Sequence, residues 1–306
     1  MIDRRGVLLG VTAYGLWGLF PLYFDLLDRA SAIEILCHRI LWSLLVLAVF
    51  LRLRSERRWL CTLRADRARF VRLLFAAVFI ATNWLVYVYA VGQDRVVEAA
   101  LGYFICPLLT VLVGVVVLRE RLRRLQWTAV ALGALAVGVL TAAYGRPPWI
   151  ALTLATTFSA YGYLKKHIDL PAAQSLAGET AVLAPAALVV LMVLEADGAA
   201  QFRVGGVGIS LLLVGTGVVT VLPLVCFAGA ARRIPLSLLG LLQYLTPSTQ
   251  FVLAVVVFGE SMAMDRWIGF ALVWTALVVL STDAIRAMRA GRRGDEVLAA
   301  AAAELG

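Results

Sequence analysis

The sequence predicts an all-α integral membrane protein of ten transmembrane helices, arranged as two inverted five-helix repeats. Three observations carry this prediction: the composition, ten apolar runs of membrane length, and a fixed shift that lays polar landmarks of one half on the other. Of 306 residues, 62% are hydrophobic and 15% charged, and the mean hydropathy is +0.90. A soluble chain is about a quarter charged and about half apolar.

A span needs about 20 mostly apolar residues to cross about 30 Å of hydrocarbon. The segments that qualify are 6–26, 34–53, 71–91, 97–118, 125–143, 147–164, 176–194, 206–230, 236–258 and 267–285. A lipid-exposed backbone must satisfy its own hydrogen bonds, and the strict alternation of a barrel strand is absent, so these are helices. The first run follows Arg4 and Arg5 as in a signal peptide. It is too long for that and further spans follow it, so it reads as an uncleaved helix.

With the N-terminus inside, 22 of the 28 Lys and Arg fall on the inner segments. The other six are Arg29, Arg39, Arg95, Arg146, Arg203 and Arg266. The positive-inside rule then places both termini in the cytoplasm. The net charge of +9 belongs to these loops, so nucleic acid is not an expected partner.

Pro107, Glu120 and Trp127 recur as Pro247, Glu260 and Trp267, each 140 residues later; Trp17-Gly18 recurs more loosely as Tyr161-Gly162. Five spans per half is odd, so the second copy enters the membrane from the opposite side. This is the inverted repeat from which many carriers are built. The expected division is 1–143, 144–285 and a cytoplasmic tail, 286–306. The tail, Ala-rich at its end, is left as either a short helix or disordered.

Polar groups within spans are the candidate working residues, because a charge at a span centre costs about 2.5–3.5 kcal/mol on insertion scales. In the second span Glu34 and His38 are four apart and share a face, with Arg39 beside them. Glu98 opens the fourth span at the same level. The expectation is that Arg39 and Glu98 meet at the outer mouth of a central cavity with His38 beside them; the alternative is that all three snorkel to water. In the third span Asn83 and Tyr87 present one polar group and one aromatic ring to the same side, next to Trp84; the alternative for Asn83 is helix–helix glue. Tyr103 and its repeat equivalent Gln243 are expected to face each other at the midplane, with Tyr244 beside Gln243 and with Trp17 and Tyr161 closing an aromatic lining.

Glu179 in the seventh span is read either as a partner of Lys165 or Lys166 or, with Glu98 and His38, as a site of proton coupling. Pro107 and Pro247 are expected to bend their helices, which suits gating. Glu120 and Glu260 mark helix ends. Gly6 and Gly10 form a small-residue face for close packing. The two histidines, His38 and His167, and the four scattered cysteines make no metal site. There is no H-E-x-x-H, Walker A or G-x-S-x-G pattern, so neither an enzyme, a cofactor nor ATP-driven transport is expected.

The stretches Glu34 to Ser43 (EILCHRILWS), Asn83-Trp84, Glu98 to Phe104 (EAALGYF), Arg123 to Trp127 (RRLQW) and Gln243-Tyr244 before Pro247 resemble the RarD proteins. These are EamA-domain members of the drug/metabolite transporter superfamily. The resemblance covers about residues 6–285. Cys106 departs from the Asn common before the Pro, and Arg119 from the Gly common before the Glu. The resemblance implies EamA-type repeats and an inner-membrane carrier. The expected function is secondary transport, and export in particular, of a small amphipathic metabolite or drug by alternating access. A proton is the candidate coupling ion, and the bilayer and the substrate are the expected partners; the oligomeric state is left open. The alternatives are a non-transporting membrane scaffold or sensor, and a membrane-embedded enzyme on a lipid substrate.

Overall fold

In the computed structural model, residues 3–54, 66–118, 122–168 and 170–304 are described, and among them every regular element is helical. In chain order the helices are α1 (Arg4–Gly18), α2 (Phe20–Asp25), α3 (Ala32–Leu53), α4 (Arg67–Val91), α5 (Val96–Leu118), α6 (Arg124–Tyr144), α7 (Trp149–Lys166), α8 (Ala172–Ala196), α9 (Val207–Ala231), α10 (Leu236–Leu242), α11 (Leu245–Val256) and α12 (Met264–Glu304).

Among the described residues nine segments are long and apolar enough to cross a membrane: α1 with α2, α3, α4, α5, α6, α8, α9, α10 with α11, and the first part of α12. Helix α7 is the helix expected over 147–164, but it is not one of the nine. Its 18 residues include Thr153, Thr156, Thr157 and Ser159 and end on Lys165 and Lys166. Large apolar side chains stand exposed along the helices, among them Leu8, Phe75, Met192 and Val278. Bare apolar surface on this scale is what contact with lipid tails requires.

Two expected single helices are interrupted, each for a local reason. Pro21 has no N–H to offer the carbonyl of Trp17, and the first span breaks at Leu19. Pro247 likewise cannot donate to the carbonyl of Gln243, and the ninth span breaks at Gln243 and Tyr244 before resuming as α11. The expectation for Pro247 was a bend; the outcome is a discontinuity. Pro107 lies inside an uninterrupted α5. The tail continues the helix of the last span as far as Glu304. Side chains cap α1, α3 and α4, at Asp3, Ser31 and Asp66. Asp66 accepts from the N–H groups of Ala68 and Arg69 at the start of α4, and the Arg69 amide holds its carboxyl below the usual carboxylate range.

The helices gather in two compact units, Met1–Cys106 with Trp149–Ser261, and Pro107–Pro148 with Met262–Gly306. Each unit draws on both sequence segments, 1–143 and 144–285. In the first unit α3 packs against α8 and α9, α1 against α9, and α4 against α7. Gly217 lies against the backbone of Trp42, where a Cβ would come within 2.5 Å of its carbonyl carbon, so α3 and α9 approach backbone to backbone. Gly10 leaves room on α1 for the Leu242 side chain, and Gly6 for the side chains of Arg233 and Ile234. In the second unit α6 packs against α12. Arg123 there holds the buried Asp283 at 2.6 Å, and Arg266 stacks 4.6 Å from the ring centre of Tyr144.

Candidate substrate site

Half of the buried polar and charged side chains described in the first unit lie along α3, α4 and α7. Ser31 caps α3 by accepting from the N–H of Glu34 at 3.1 Å, which starts the helix in the register that aims Arg39 inward. Arg39 is 3% exposed. Its Nε donates to Thr220 Oγ1 of α9 at 2.8 Å, and its guanidinium lies 4.0 Å from the ring centre of Trp84 and 5.4 Å from those of Phe20 and Phe24. Desolvated cation–π contacts are worth about 2 kcal/mol, which offsets part of the cost of burying the charge and neutralises none of it. Its Nη1 is buried and has no hydrogen-bond partner.

One residue before Trp84, Asn83 is fully engaged. Its amide donates to the Leu154 carbonyl and to Thr157 Oγ1 of α7, both at 3.0 Å, and its Oδ1 accepts from the Tyr103 hydroxyl at 3.0 Å. The Tyr103 ring lies 5.9 Å from those of Tyr87 and Phe158. Tyr87 OH accepts from Gln250 Nε2 at 3.1 Å, and the same Nε2 donates to the Trp17 carbonyl at 3.2 Å. That carbonyl is the one to which Pro21 cannot donate, and a side chain from α11 reaches it at the break in the first span. Arg39, Trp84, Asn83, Tyr87 and Tyr103 thus share one neighbourhood, which Trp17 joins through its carbonyl while its ring packs on Tyr14 and Phe227.

Other candidates have separate places. Glu98 does not meet Arg39: it pairs with Arg95, three residues before it, and accepts from the Ile150 N–H at the start of α7. An ion pair one turn away costs less chain ordering than one between helices, and Arg95 takes it. His38 is turned about 100° from Arg39 by helical geometry. It stacks on Phe202 at 4.6 Å and accepts at Nδ1 from the Trp42 indole, facing a groove of about 250 Å³. Glu34 accepts from the N–H groups of Gln201 and Phe202. Tyr161 reaches the neighbourhood through Phe158 and donates to Glu179 Oε2 at 3.1 Å.

Glu179 pairs with Lys165 at 2.8 Å, one of the two readings the sequence left open for it, and also accepts from Ser175 at 2.8 Å. The expected opposition of Tyr103 and Gln243 is replaced by the Tyr103–Asn83 bond. Gln243 sits at the α10–α11 break with an exposed side chain, and Tyr244 is half-buried beside it. Glu260 accepts from the N–H groups of Val96 and Val97, opening α5; Glu120 lies outside the described residues. Among the described residues no cluster of metal-ligating side chains forms.

Sequence reasoning passed over Thr220, Thr157, Gln250, Phe20 and Phe24. The signal for Gln250 was present: an amide side chain within an apolar span.

A set of membrane-length helices with buried hydrogen-bonding and aromatic groups defines a multi-pass membrane protein. In agreement, the EamA-like transporter family matches at residues 4–142. The chain belongs to the RarD group of that family. It is 49% identical to Protein RarD of Streptomyces exfoliatus over 95% of this chain and 92% of that one. It is 44% identical to an uncharacterized transporter of Vibrio cholerae serotype O1 over 95% and 96%. A solved crystal structure, 21% identical, superposes with a TM-score of 0.62 over 92% of this chain and 98% of the other, a likeness of fold.

Proposed function

We propose that the protein is a secondary carrier of the bacterial inner membrane that exports a small amphipathic metabolite or drug by alternating access. The observation that carries this reading is Arg39, a charge with an unpartnered N–H held among aromatic rings of several membrane helices. Polar groups of this kind inside a bundle mark a substrate path more readily than a lipid-facing surface. The EamA-like match and the transporter named among the relatives support the same class.

In this reading α7 is the tenth span, its polar residues turned to the protein, and the two halves are inverted copies with both termini inside. Helix breaks at Leu19 and at Gln243–Tyr244 supply the hinges, with Pro107 as a third flexible point. Substrate is held by Arg39, Trp84, Asn83, Tyr87, Tyr103 and Trp17, and Tyr161, Gln243 and Tyr244 border its path. Glu98, His38 and Glu179 remain the candidate groups for proton coupling.

The direct test is uptake and counterflow in proteoliposomes, with and without an imposed pH gradient. Gradient-dependent movement of a small amphipathic compound that vanishes in an Arg39→Gln variant is the expected result. A scaffold would instead tolerate Asn83, Tyr103 and Arg39 substitutions and lose function through its loops. The inverted arrangement is tested by accessibility labelling of cysteines placed at 120 and 260. Labelling from opposite sides is expected; labelling from one side would end the inverted-repeat reading.

A further inference from the structure

We infer that the substrate is an organic anion, a carboxylate or other oxyanion on an aromatic or apolar body, held by the Arg39 guanidinium. This rests on the carrier reading above and narrows its substrate.

Four carboxylates that lie buried or half-buried in the same unit are each engaged through at least one oxygen, although Glu34 Oε2 is buried without a partner. Glu179 is held by Lys165, Glu98 by Arg95, Glu34 by two backbone N–H groups of Gln201 and Phe202, and Glu260 by those of Val96 and Val97. Among the described residues, no carboxylate lies within ion-pair distance of Arg39. Its one hydrogen bond goes to a neutral hydroxyl, and its other close neighbours are the faces of Trp84, Phe20 and Phe24.

The guanidinium therefore has no counter-ion among the described residues, and its Nη1 has no hydrogen-bond partner. Ser43 stands one turn further along the same face of α3, and its buried Oγ also has no partner. A guanidinium N–H and a hydroxyl set one turn apart suit the two oxygens of a carboxylate or the oxygens of a larger oxyanion. The aromatic faces that flank the charge suit the body that carries it. A cationic substrate would bring like charge to a guanidinium that has no counter-ion, and a neutral one would leave the charge uncompensated.

The test uses purified protein in lipid nanodiscs and four carboxylates: benzoate, phenylacetate, 3-phenylpropionate and indole-3-acetate. Each is compared with its amide and with the amine of the same body. Binding is read by calorimetry and by quenching of tryptophan fluorescence, since Trp84 lies under Arg39. At least one carboxylate is expected to bind ten times or more tightly than its amide and amine. Arg39→Gln is expected to weaken that carboxylate at least tenfold and leave the amide unchanged, Arg39→Lys to weaken it less, and Ser43→Ala about threefold. If Arg39→Gln does not fold, the wild-type comparison decides alone. Equal binding of acid and amide, tighter binding of the amine, or no binding of any carboxylate overturns the proposal. Counterflow of the same compounds separates this from the carrier reading. A carboxylate that binds through Arg39 and shows no counterflow keeps the anion site and removes the carrier. Counterflow of amines instead keeps the carrier and removes the anion.

Discussion

The carboxylate of Glu179 and the guanidinium of Arg39 lie in the same unit, and each is almost wholly buried. Glu179 has a cation at 2.8 Å, a serine hydroxyl at 2.8 Å and a tyrosine hydroxyl at 3.1 Å. Arg39 has one neutral hydroxyl, three rings and an N–H with no partner. Burying a charge is tolerated when neighbours replace the lost water, and Glu179 meets that condition from within the fold. Arg39 does not, and a charge kept where the fold leaves it uncompensated points to a use beyond folding. The contrast separates a charge satisfied within the fold from one available to a ligand.

The sharpest way to break the comparison is to remove Glu179. Glu179→Ala strands Lys165 and leaves the hydroxyls of Ser175 and Tyr161 without their acceptor. Because Lys165 is 23% exposed and can turn toward water, we expect a loss of about 2–3 kcal/mol, below the usual cost of breaking a wholly buried pair. Thermal unfolding in detergent measures it. Glu179→Gln, which keeps an acceptor, is expected to lose about half as much. An unchanged melting temperature in both would show that Glu179 is no more structural than Arg39.

Arg39→Met should behave in the opposite sense. Replacing an uncompensated buried charge by an apolar side chain is expected to leave stability unchanged or to raise it by about 1–2 kcal/mol, the lost cation–π contacts being offset by the removed desolvation penalty. Transport should fall by about a hundredfold, equivalent to about 2.7 kcal/mol of lost interaction. Parallel melting and proteoliposome flux assays decide. A large fall in melting temperature would place Arg39 with Glu179 among the structural charges.

How much of this was visible in the chain differs between elements. The spans were legible because hydrocarbon demands about 20 apolar residues from any helix that crosses it. The breaks at Leu19 and Gln243 were not foreseen, although Pro21 and Pro247 cause them; a proline tells that one backbone bond is lost, not whether the helix bends or parts. Asn83, Trp84, Tyr87 and Tyr103, which the structure brings close together, were legible because polar and aromatic groups stand out in apolar runs. The partnership of Arg39 was misjudged. Membrane depth can be read from position along a span, but the direction a side chain faces around the helix bundle cannot. Depth alone put Glu98 beside Arg39, while Arg95, one turn from Glu98, had the nearer claim. Thr220 was passed over because a hydroxyl in a run as apolar as 206–230 can simply bond its own helix backbone, as Thr216 does with the carbonyl of Leu213.

Asn83 supplies an uncharged reference between the two extremes, buried and with every polar atom engaged. Hydrogen bonds between membrane helices average about 0.6 kcal/mol, so Asn83→Ala, which removes three, is expected to cost about 1–2 kcal/mol. Tyr103→Phe removes only one of them. A double-mutant cycle of the two should return a coupling near about 0.6 kcal/mol. A coupling near zero would mean that the Tyr103 hydroxyl finds another acceptor once Asn83 is gone.

The smallest effect tests the one bond Arg39 does make. Thr220→Val keeps the side chain's shape and takes away the oxygen that accepts from Nε. If the guanidinium were held in place chiefly by Thr220, stability would fall by about 1.5–3 kcal/mol, as for a lost hydrogen bond to a charged group. The three aromatic faces argue against this, because they confine the guanidinium from several sides whether or not Thr220 accepts. We therefore expect a change in stability below about 1 kcal/mol, with flux reduced about threefold because Arg39 is less sharply oriented toward its ligand. A melting temperature that drops as far as in Glu179→Ala would show Thr220 to be the true partner of the charge, and the contrast between the two buried ions would then be one of degree.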